Sequence, residues 1–224
     1  MKLVDLSSTT TAYSHMSNLR LRLTAMLLQL LRNKFLVKFG PIIIETLLKL
    51  KVPGVSSLVK ISLHKHFCGG EDFVQALSTA KSLKDHYISP CFYNTAENIK
   101  NDSDFVEIFQ DYKRAVELLS KSDIEPKLVV LKVTAVCDHN ILRKIQNKST
   151  LNHNEQRQLN LFIIRINSLA KITMEQSASL LIDAEESWIQ DSIDGISEEL
   201  MEKWNKKRAV VYTTIQMYRV DRKD

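Results

Sequence analysis

An alternation of short apolar segments with amphipathic ones is the feature that most constrains this fold. Four segments have the apolar, β-branched character of strands: residues 90–95, 128–136, 179–185 and 209–218. Three segments between them place apolar side chains at the spacing of one helix face, namely residues 104–120, 155–171 and 187–204. Strands that alternate with helices of this length predict βαβ units and a parallel sheet.

Each of the three predicted helices has one apolar face. The faces consist of Phe105, Ile108, Phe109, Tyr112, Val116 and Leu119 in the first helix, of Leu159, Phe162, Ile163, Ile166 and Leu169 in the second, and of Ile189, Ile193, Ile196, Leu200 and Trp204 in the third. Two helices begin with a pattern typical of a capping box, in which two side chains bond reciprocally to backbone N–H groups. The pairs are Asp104 with Glu107 and Ser187 with Gln190.

Residues 1–66 are predicted to form an N-terminal helical region, and residues 67–224 a domain that contains the sheet. The helical pattern covers residues 17–51 with an interruption at Gly40 and Pro41, and it resumes over residues 55–66. After Gly69 and Gly70, a further helix is predicted to extend to residue 85.

The N-terminal region has an unusual charge distribution. No acidic residue lies between Leu6 and Ile44, whereas five basic residues do: Arg20, Arg22, Arg32, Lys34 and Lys38. This pattern is typical of a mitochondrial targeting segment. It also fits a structural amphipathic helix, which we favour, and a membrane-surface binding module is a third interpretation. No apolar run reaches the roughly 18 residues needed to cross a bilayer.

Composition narrows the function classes. The net charge is +5, but the basic residues are spread along the chain instead of alternating with aromatic residues, so a nucleic-acid surface is not expected. Three separated cysteines indicate neither a disulfide framework nor a zinc knuckle, and they fit a reducing compartment. We do not expect the run His64, His66 and Cys68 to bind a metal, since no fourth ligand is evident. The sequence has no glycine-rich dinucleotide or Walker motif.

Polar residues interrupt three of the predicted strands. Lys132 lies within LVVLKVTAV, and Asp183 and Glu185 lie two apart near the end of SLLIDAE, where they are predicted to share a face. On the fourth strand the residues predicted to share a face are Tyr212, Thr214, Gln216 and Tyr218. If the strands are parallel neighbours, a lysine, two carboxylates and an amide meet at the carboxyl ends of the strands, the mouth of the sheet, where α/β barrels have their active sites.

Each of these residues also has a purely structural interpretation. Lys132 could lie on an edge strand or in a strand that is placed wrongly. Asp183 and Glu185 could cap the following helix and face solvent in its first turn. Gln216 by itself indicates little. Taken together they favour a polar pocket without naming a substrate.

Four motifs resemble, in order and spacing, those of the proline dehydrogenase family. They are HFCGGED at residues 66–72, LKVTAVCD at 131–138, LLIDAEESWIQDSID at 180–194 and VVYTTIQMY at 210–218. The resemblance covers almost the whole chain, and the Asp-Ala-Glu-Glu-Ser run is its most specific part. It implies a (β/α)₈ TIM barrel, here its first four β/α units, preceded by N-terminal helices.

The resemblance also implies an activity and a substrate site. Members of this family oxidise L-proline to Δ1-pyrroline-5-carboxylate and pass electrons to a quinone at the matrix side of the mitochondrial inner membrane. By resemblance, Lys132 lies near the substrate carboxylate and Asp183 lies beside it in the pocket. Glu97 resembles the glutamate that closes the active site by pairing with an arginine late in the barrel.

The cofactor that the resemblance implies is FAD. Gln216 resembles the amide that hydrogen-bonds to the flavin ring, and Thr134 and Glu185 are further cofactor-binding candidates. Ile215 replaces a residue that is usually aromatic. Phe92, Tyr93 and Asn94 stand where the family has Leu-Asp-Tyr.

The family's flavin-binding arginine of the fifth strand and its Tyr-x-x-Arg-Arg helix have no counterpart in the sequence. The alternative function is therefore a non-catalytic barrel fragment that cannot hold FAD alone. Under that hypothesis, we expect the chain to purify without colour and to aggregate.

Overall fold

The computed structural model describes residues 8–96, 99 and 101–222. The described residues form two compact units, which meet in sequence between Ile88 and Ser89. The first unit is helical and the second contains the sheet. The predicted boundary between residues 66 and 67 stays a prediction about domain organisation.

Helices make up the regular structure of the described part of the first unit. These are α1 (Thr9–Ala12), α2 (Asn18–Leu31), α3 (Lys34–Lys49), α4 (Val55–Val59), a π-helical turn (Lys60–His64), α5 (Lys65–Phe67) and α6 (Phe73–Lys84). Within the ranges that the structure describes, no helix is both long and apolar enough to cross a membrane.

The predicted interruption at Gly40 and Pro41 is wrong. Pro41 lies inside α3, which continues through it. The helical segment is instead interrupted between Leu31, where α2 ends, and Lys34, where α3 begins. There the Asn33 side chain accepts hydrogen bonds from the backbone N–H groups of Phe35, at 2.9 Å, and Leu36, at 3.4 Å. An asparagine cap therefore decides where the helix begins, while a proline removes one hydrogen bond from a helix that is otherwise intact.

The second unit contains the predicted parallel sheet. Its strands are β1 (Phe92–Tyr93), β2 (Leu128–Leu131), β3 (Ser179–Ile182) and β4 (Val211–Thr213), all parallel and arranged in the order of the sequence. The prediction of four parallel strands is confirmed. All four are shorter than predicted, and their ends define the residues that can reach the mouth of the sheet.

The helices of this unit are α7 (Asp102–Ser120), α8 (His139–Gln146), α9 (His153–Glu175) and α10 (Gln190–Trp204). The predicted apolar faces of α7, α9 and α10 are buried at most of their positions, and they form the core together with β2 and β3. Helix α8 was not predicted. It buries Ile141 and Leu142, so a segment of eight residues joins the same core.

Neither predicted capping box forms. Helix α7 begins after Asn101 and α10 after Ile189, and neither residue caps its helix through its side chain. A reciprocal box does form at the start of α9, where Asn152 accepts from the Glu155 N–H group at 2.9 Å and Glu155 accepts from the Asn152 N–H group at 2.8 Å. Hydrogen bonds from Lys144 and from this backbone group lower the pKa of Glu155. The ion pair of Lys144 with Glu155, at 2.7 Å, links α8 to α9.

Candidate functional site

The carboxyl end of β2 places Lys132 at the mouth of the sheet. The strand ends at Leu131, and residues Val133–Ala135 form a 3₁₀ turn, so the predicted continuation to residue 136 is wrong. Lys132 is half-buried and stands between the strand and the turn. Its Nζ atom lies 5.7 Å from the centroid of the Tyr93 ring on β1. Lys132 therefore lies at the mouth and not within the sheet.

Thr134 and Glu185 form a buried pair between the ends of β2 and β3. The Thr134 N–H group donates to Glu185 Oε1 at 3.0 Å, and the Thr134 hydroxyl donates to Oε2. Thr134 has no exposed surface and Glu185 is 9% exposed. Burial raises the pKa of Glu185, and the two bonds from Thr134 oppose that change.

The Asp183 side chain bonds to the segment after β4, whereas the Glu185 side chain bonds to the segment after β2. Its N–H group donates to the Leu131 carbonyl at 2.9 Å, and its Oδ1 accepts from the Thr214 hydroxyl at 3.2 Å. The Asp183 and Glu185 side chains therefore bond to segments that follow different strands, β4 and β2, and the expectation that they share one strand face is wrong. The reason is that β3 ends at Ile182, after which the two-residue alternation of a strand no longer applies.

Gln216 lies beyond β4 and beside a cavity. Because β4 ends at Thr213, the predicted alternation from Tyr212 to Tyr218 on one strand is also wrong. The Gln216 Nε2 donates to the Glu185 carbonyl at 3.0 Å, which links β4 to the segment after β3. The adjoining cavity has a volume of about 280 Å³, and its polar lining includes Gln190, Asp194, Glu198, Thr214, Gln216 and Arg222.

Two glutamines that were not assigned to the site hold the segment after β3. The Gln190 Oε1 accepts from the Glu185 N–H group at 2.7 Å, and its Nε2 donates to Asp194 at 2.7 Å. Gln146 on α8 donates to the Ser187 carbonyl at 3.1 Å. Gln190 is 2% exposed although it is polar. Its place directly after Ile189, a residue of the predicted apolar face, was the available sign of such a role.

The structure brings five of the six predicted site residues to the carboxyl ends of β2, β3 and β4: Lys132, Thr134, Asp183, Glu185 and Gln216. The sixth, Glu97, lies outside the described residues. Carboxyl ends of parallel strands are the usual location of active sites in open and closed α/β folds. The cluster offers a cation, carboxylates and an amide around one mouth.

Comparison with known proteins identifies the family. Residues 76–224 match the family model described as proline dehydrogenase. The chain belongs to the proline dehydrogenase family.

Several relatives in this family are mitochondrial proteins by name. Proline dehydrogenase 1, mitochondrial, of Arabidopsis thaliana is 27% identical, with 73% of this chain and 41% of the relative covered. The probable mitochondrial proline dehydrogenase of Schizosaccharomyces pombe is 22% identical, with 71% of this chain and 42% of the relative covered. The chain therefore spans less than half the length of these proline dehydrogenases.

Solved structures support the same fold. Proline utilization A from Bdellovibrio bacteriovorus, inactivated by N-propargylglycine, superimposes with a TM-score of 0.60 at 16% identity and covers 75% of this chain and 18% of its own. The same protein from Bradyrhizobium japonicum, as the D779Y mutant, gives a TM-score of 0.51 at 17% identity, covering 77% of this chain and 18% of its own. These similarities concern the α/β fold with its parallel sheet, and the closed eight-stranded barrel stays a prediction.

The Glu185 carboxyl group predicts a specific pH dependence of stability. Its pKa is raised above the ordinary 4.5, so the folded chain binds more protons than the unfolded chain between the two values. This contribution to stability is therefore present below about pH 4.5 and is lost as the pH rises through the raised pKa. We expect Glu185→Gln to flatten the fall in unfolding free energy over that interval, as measured by urea denaturation.

The control is Glu117→Gln, which removes a carboxyl group from an exposed position on α7. Its stability profile should run parallel to that of the unmodified chain. Parallel profiles for Glu185→Gln and the unmodified chain would show that burial does not affect the protonation of Glu185.

Proposed function

We propose that this protein takes part in the FAD-dependent oxidation of L-proline to Δ1-pyrroline-5-carboxylate. The observation that carries the proposal is the match of residues 76–224 to the proline dehydrogenase family. The convergence of Lys132, Asp183 and Gln216 at the carboxyl ends of the strands supports it, because these residues resemble site residues of the family. In this reaction proline loses two electrons and two protons as its C–N single bond becomes a C=N double bond.

The proposed substrate site uses charge to orient proline. The Lys132 ammonium attracts the proline carboxylate, and such a charge-assisted hydrogen bond is stronger than a neutral one. We assign to Asp183, whose Oδ1 accepts from the Thr214 hydroxyl at 3.2 Å, a place beside this carboxylate, from which it attracts the cationic ring nitrogen of the substrate. We assign to Glu97 the closing of the site over bound proline.

The residues at the mouth are compatible with a flavin. The bond from Gln216 Nε2 to the Glu185 carbonyl fixes the amide plane, which leaves the other side of the amide, with its oxygen, to meet a ring N–H group. Thr134 and Glu185 are buried and bonded to each other, so we propose that they lie beneath the cofactor and support its binding site. FAD, when bound, supplies the two-electron acceptor for proline oxidation.

The proposed location is the matrix side of the mitochondrial inner membrane, with a quinone as the final acceptor. Support comes from the relatives that are named mitochondrial. The acid-free N-terminal region, in which exposed Leu19, Leu23 and Met26 lie close in sequence to Arg20 and Arg22, fits an anionic lipid surface.

Anaerobic spectroscopy of the purified chain with added FAD tests this function. We expect the flavin absorbance to shift on binding and then to bleach when L-proline is added, because electrons pass from proline to the flavin. D-proline is the control, since it has the same charge and mass but places its carboxylate differently. Bound FAD that stays oxidised with L-proline would contradict the proposed activity, and a chain that binds no FAD would contradict the cofactor assignment.

A further inference from the structure

Tyr93 and Lys132 form a contact across the first two strands. Tyr93 is the last residue of β1 and lies opposite Val130, two positions before Lys132. The Lys132 Nζ lies 5.7 Å from the centroid of the Tyr93 ring, within the range of a cation–π interaction. Tyr93 is 40% exposed, so its ring stands at the mouth of the sheet and not in the core.

The backbone beneath this contact is rigid. Leu131 pairs with Ile182 in the sheet, and its carbonyl accepts from the Asp183 N–H group at 2.9 Å. Tyr112 of α7 is 1% exposed, and burial raises the pKa of Tyr112 well above its ordinary value, with a further contribution from Tyr93 in the same direction. The stem of Lys132 thus starts from a fixed point, and the position of its ammonium group depends on what the flexible side chain meets at the mouth.

We propose that Tyr93 is a positioning residue that holds the Lys132 ammonium group against its ring face, in the orientation that receives the substrate carboxylate. The inference rests on the proposed function for the identity of that carboxylate. Through Tyr93, β1 contributes a ring face to the cation.

The contact can be measured without any substrate. A cation–π contact favours the ammonium form over the free amine, which is the form that reacts with an acylating reagent. We expect Lys132 to be acylated about threefold faster in Tyr93→Leu, while Tyr93→Phe, which keeps the ring, behaves like the unmodified chain. Peptide mass spectrometry gives the rate for each lysine. Lys203, whose Nζ lies 5.4 Å from the Trp204 ring centroid, is the internal control and should not change.

Binding measurements test the consequence for the substrate. We expect Tyr93→Leu to weaken L-proline binding about threefold in calorimetry, and Tyr93→Phe to restore it. Pyrrolidine, which lacks the carboxylate, should bind both variants equally. In a Lys132→Met background, Tyr93→Leu should have no further effect, because the cation that the ring holds is gone.

The possible outcomes distinguish the positioning role of Tyr93 from the proposed function. Equal acylation of Lys132 in Tyr93→Leu and the unmodified chain would overturn the positioning role. So would a loss of proline binding in Tyr93→Leu that persists in the Lys132→Met background. If the unmodified chain bound no proline, the proposed function would fail, while the acylation rates would still decide whether Tyr93 holds Lys132.

Discussion

Replacing Thr134 with valine is expected to lower the free energy of unfolding by about 2–3 kcal/mol at neutral pH. Valine has nearly the same shape as threonine, so packing is preserved. The hydroxyl that donates to Glu185 Oε2 is lost, however, and a buried carboxylate oxygen loses its partner. Leaving a buried charged group unsatisfied costs more than the bond itself contributes. Urea denaturation followed by circular dichroism measures the change.

Thr173→Val is the matched control. Thr173 is as buried as Thr134, but its hydroxyl donates at 2.8 Å to the Leu169 carbonyl, one turn earlier in α9. That carbonyl lies within the helix and keeps a backbone partner, so we expect a loss below about 1 kcal/mol. Equal losses for the two variants would show that Glu185 does not depend on the Thr134 hydroxyl.

Replacing Lys132 with methionine is expected to weaken L-proline binding by about 1.5–3 kcal/mol, on the order of tenfold or more. Methionine retains most of the side-chain stem and its packing but removes the positive charge that attracts the carboxylate. FAD binding should change little, because the proposed contact to the flavin ring comes from Gln216 on the other side of β3. Calorimetry with proline and absorbance titration with FAD measure the two effects separately.

Lys203→Met is the control for this experiment. Lys203 also lies over an aromatic ring, that of Trp204, but it belongs to the last turn of α10. Its replacement removes the same charge from the chain and should leave proline binding unchanged. If the two lysine variants bound proline equally well, Lys132 would have no place in the substrate site.

The sequence was informative where one physical pattern decided the structure. Four apolar segments predicted four strands, and the spacing of three and four residues between Phe105, Ile108 and Tyr112 correctly predicted the buried face of α7. These patterns report burial, which is set by the period of side chains along a single element. The family could also be recognised from short motifs, and the family model confirms it.

The sequence was uninformative where a distant residue decided the local structure. Val133 and Thr134 have β-branched side chains and fit a strand, yet they form a 3₁₀ turn whose backbone N–H and hydroxyl groups bond to Glu185. The preference of β-branched residues for strands is weaker than such a buried carboxylate contact. Similarly, Gln190 satisfies the Glu185 N–H group instead of completing a capping box with Ser187. No local pattern contains information about these partners.

The order of the strands has a consequence for the chain entropy of the site. Because each strand pairs with the one before it in the sequence, the contacts at the mouth join residues of successive β/α units. Thr134 and Glu185 are 51 residues apart, and Glu185 and Gln216 are 31 apart. Closing a loop costs about 0.6 kcal/mol more for each doubling of its length. A polar site assembled from successive units therefore loses less conformational freedom than the same site assembled from the two ends of the chain.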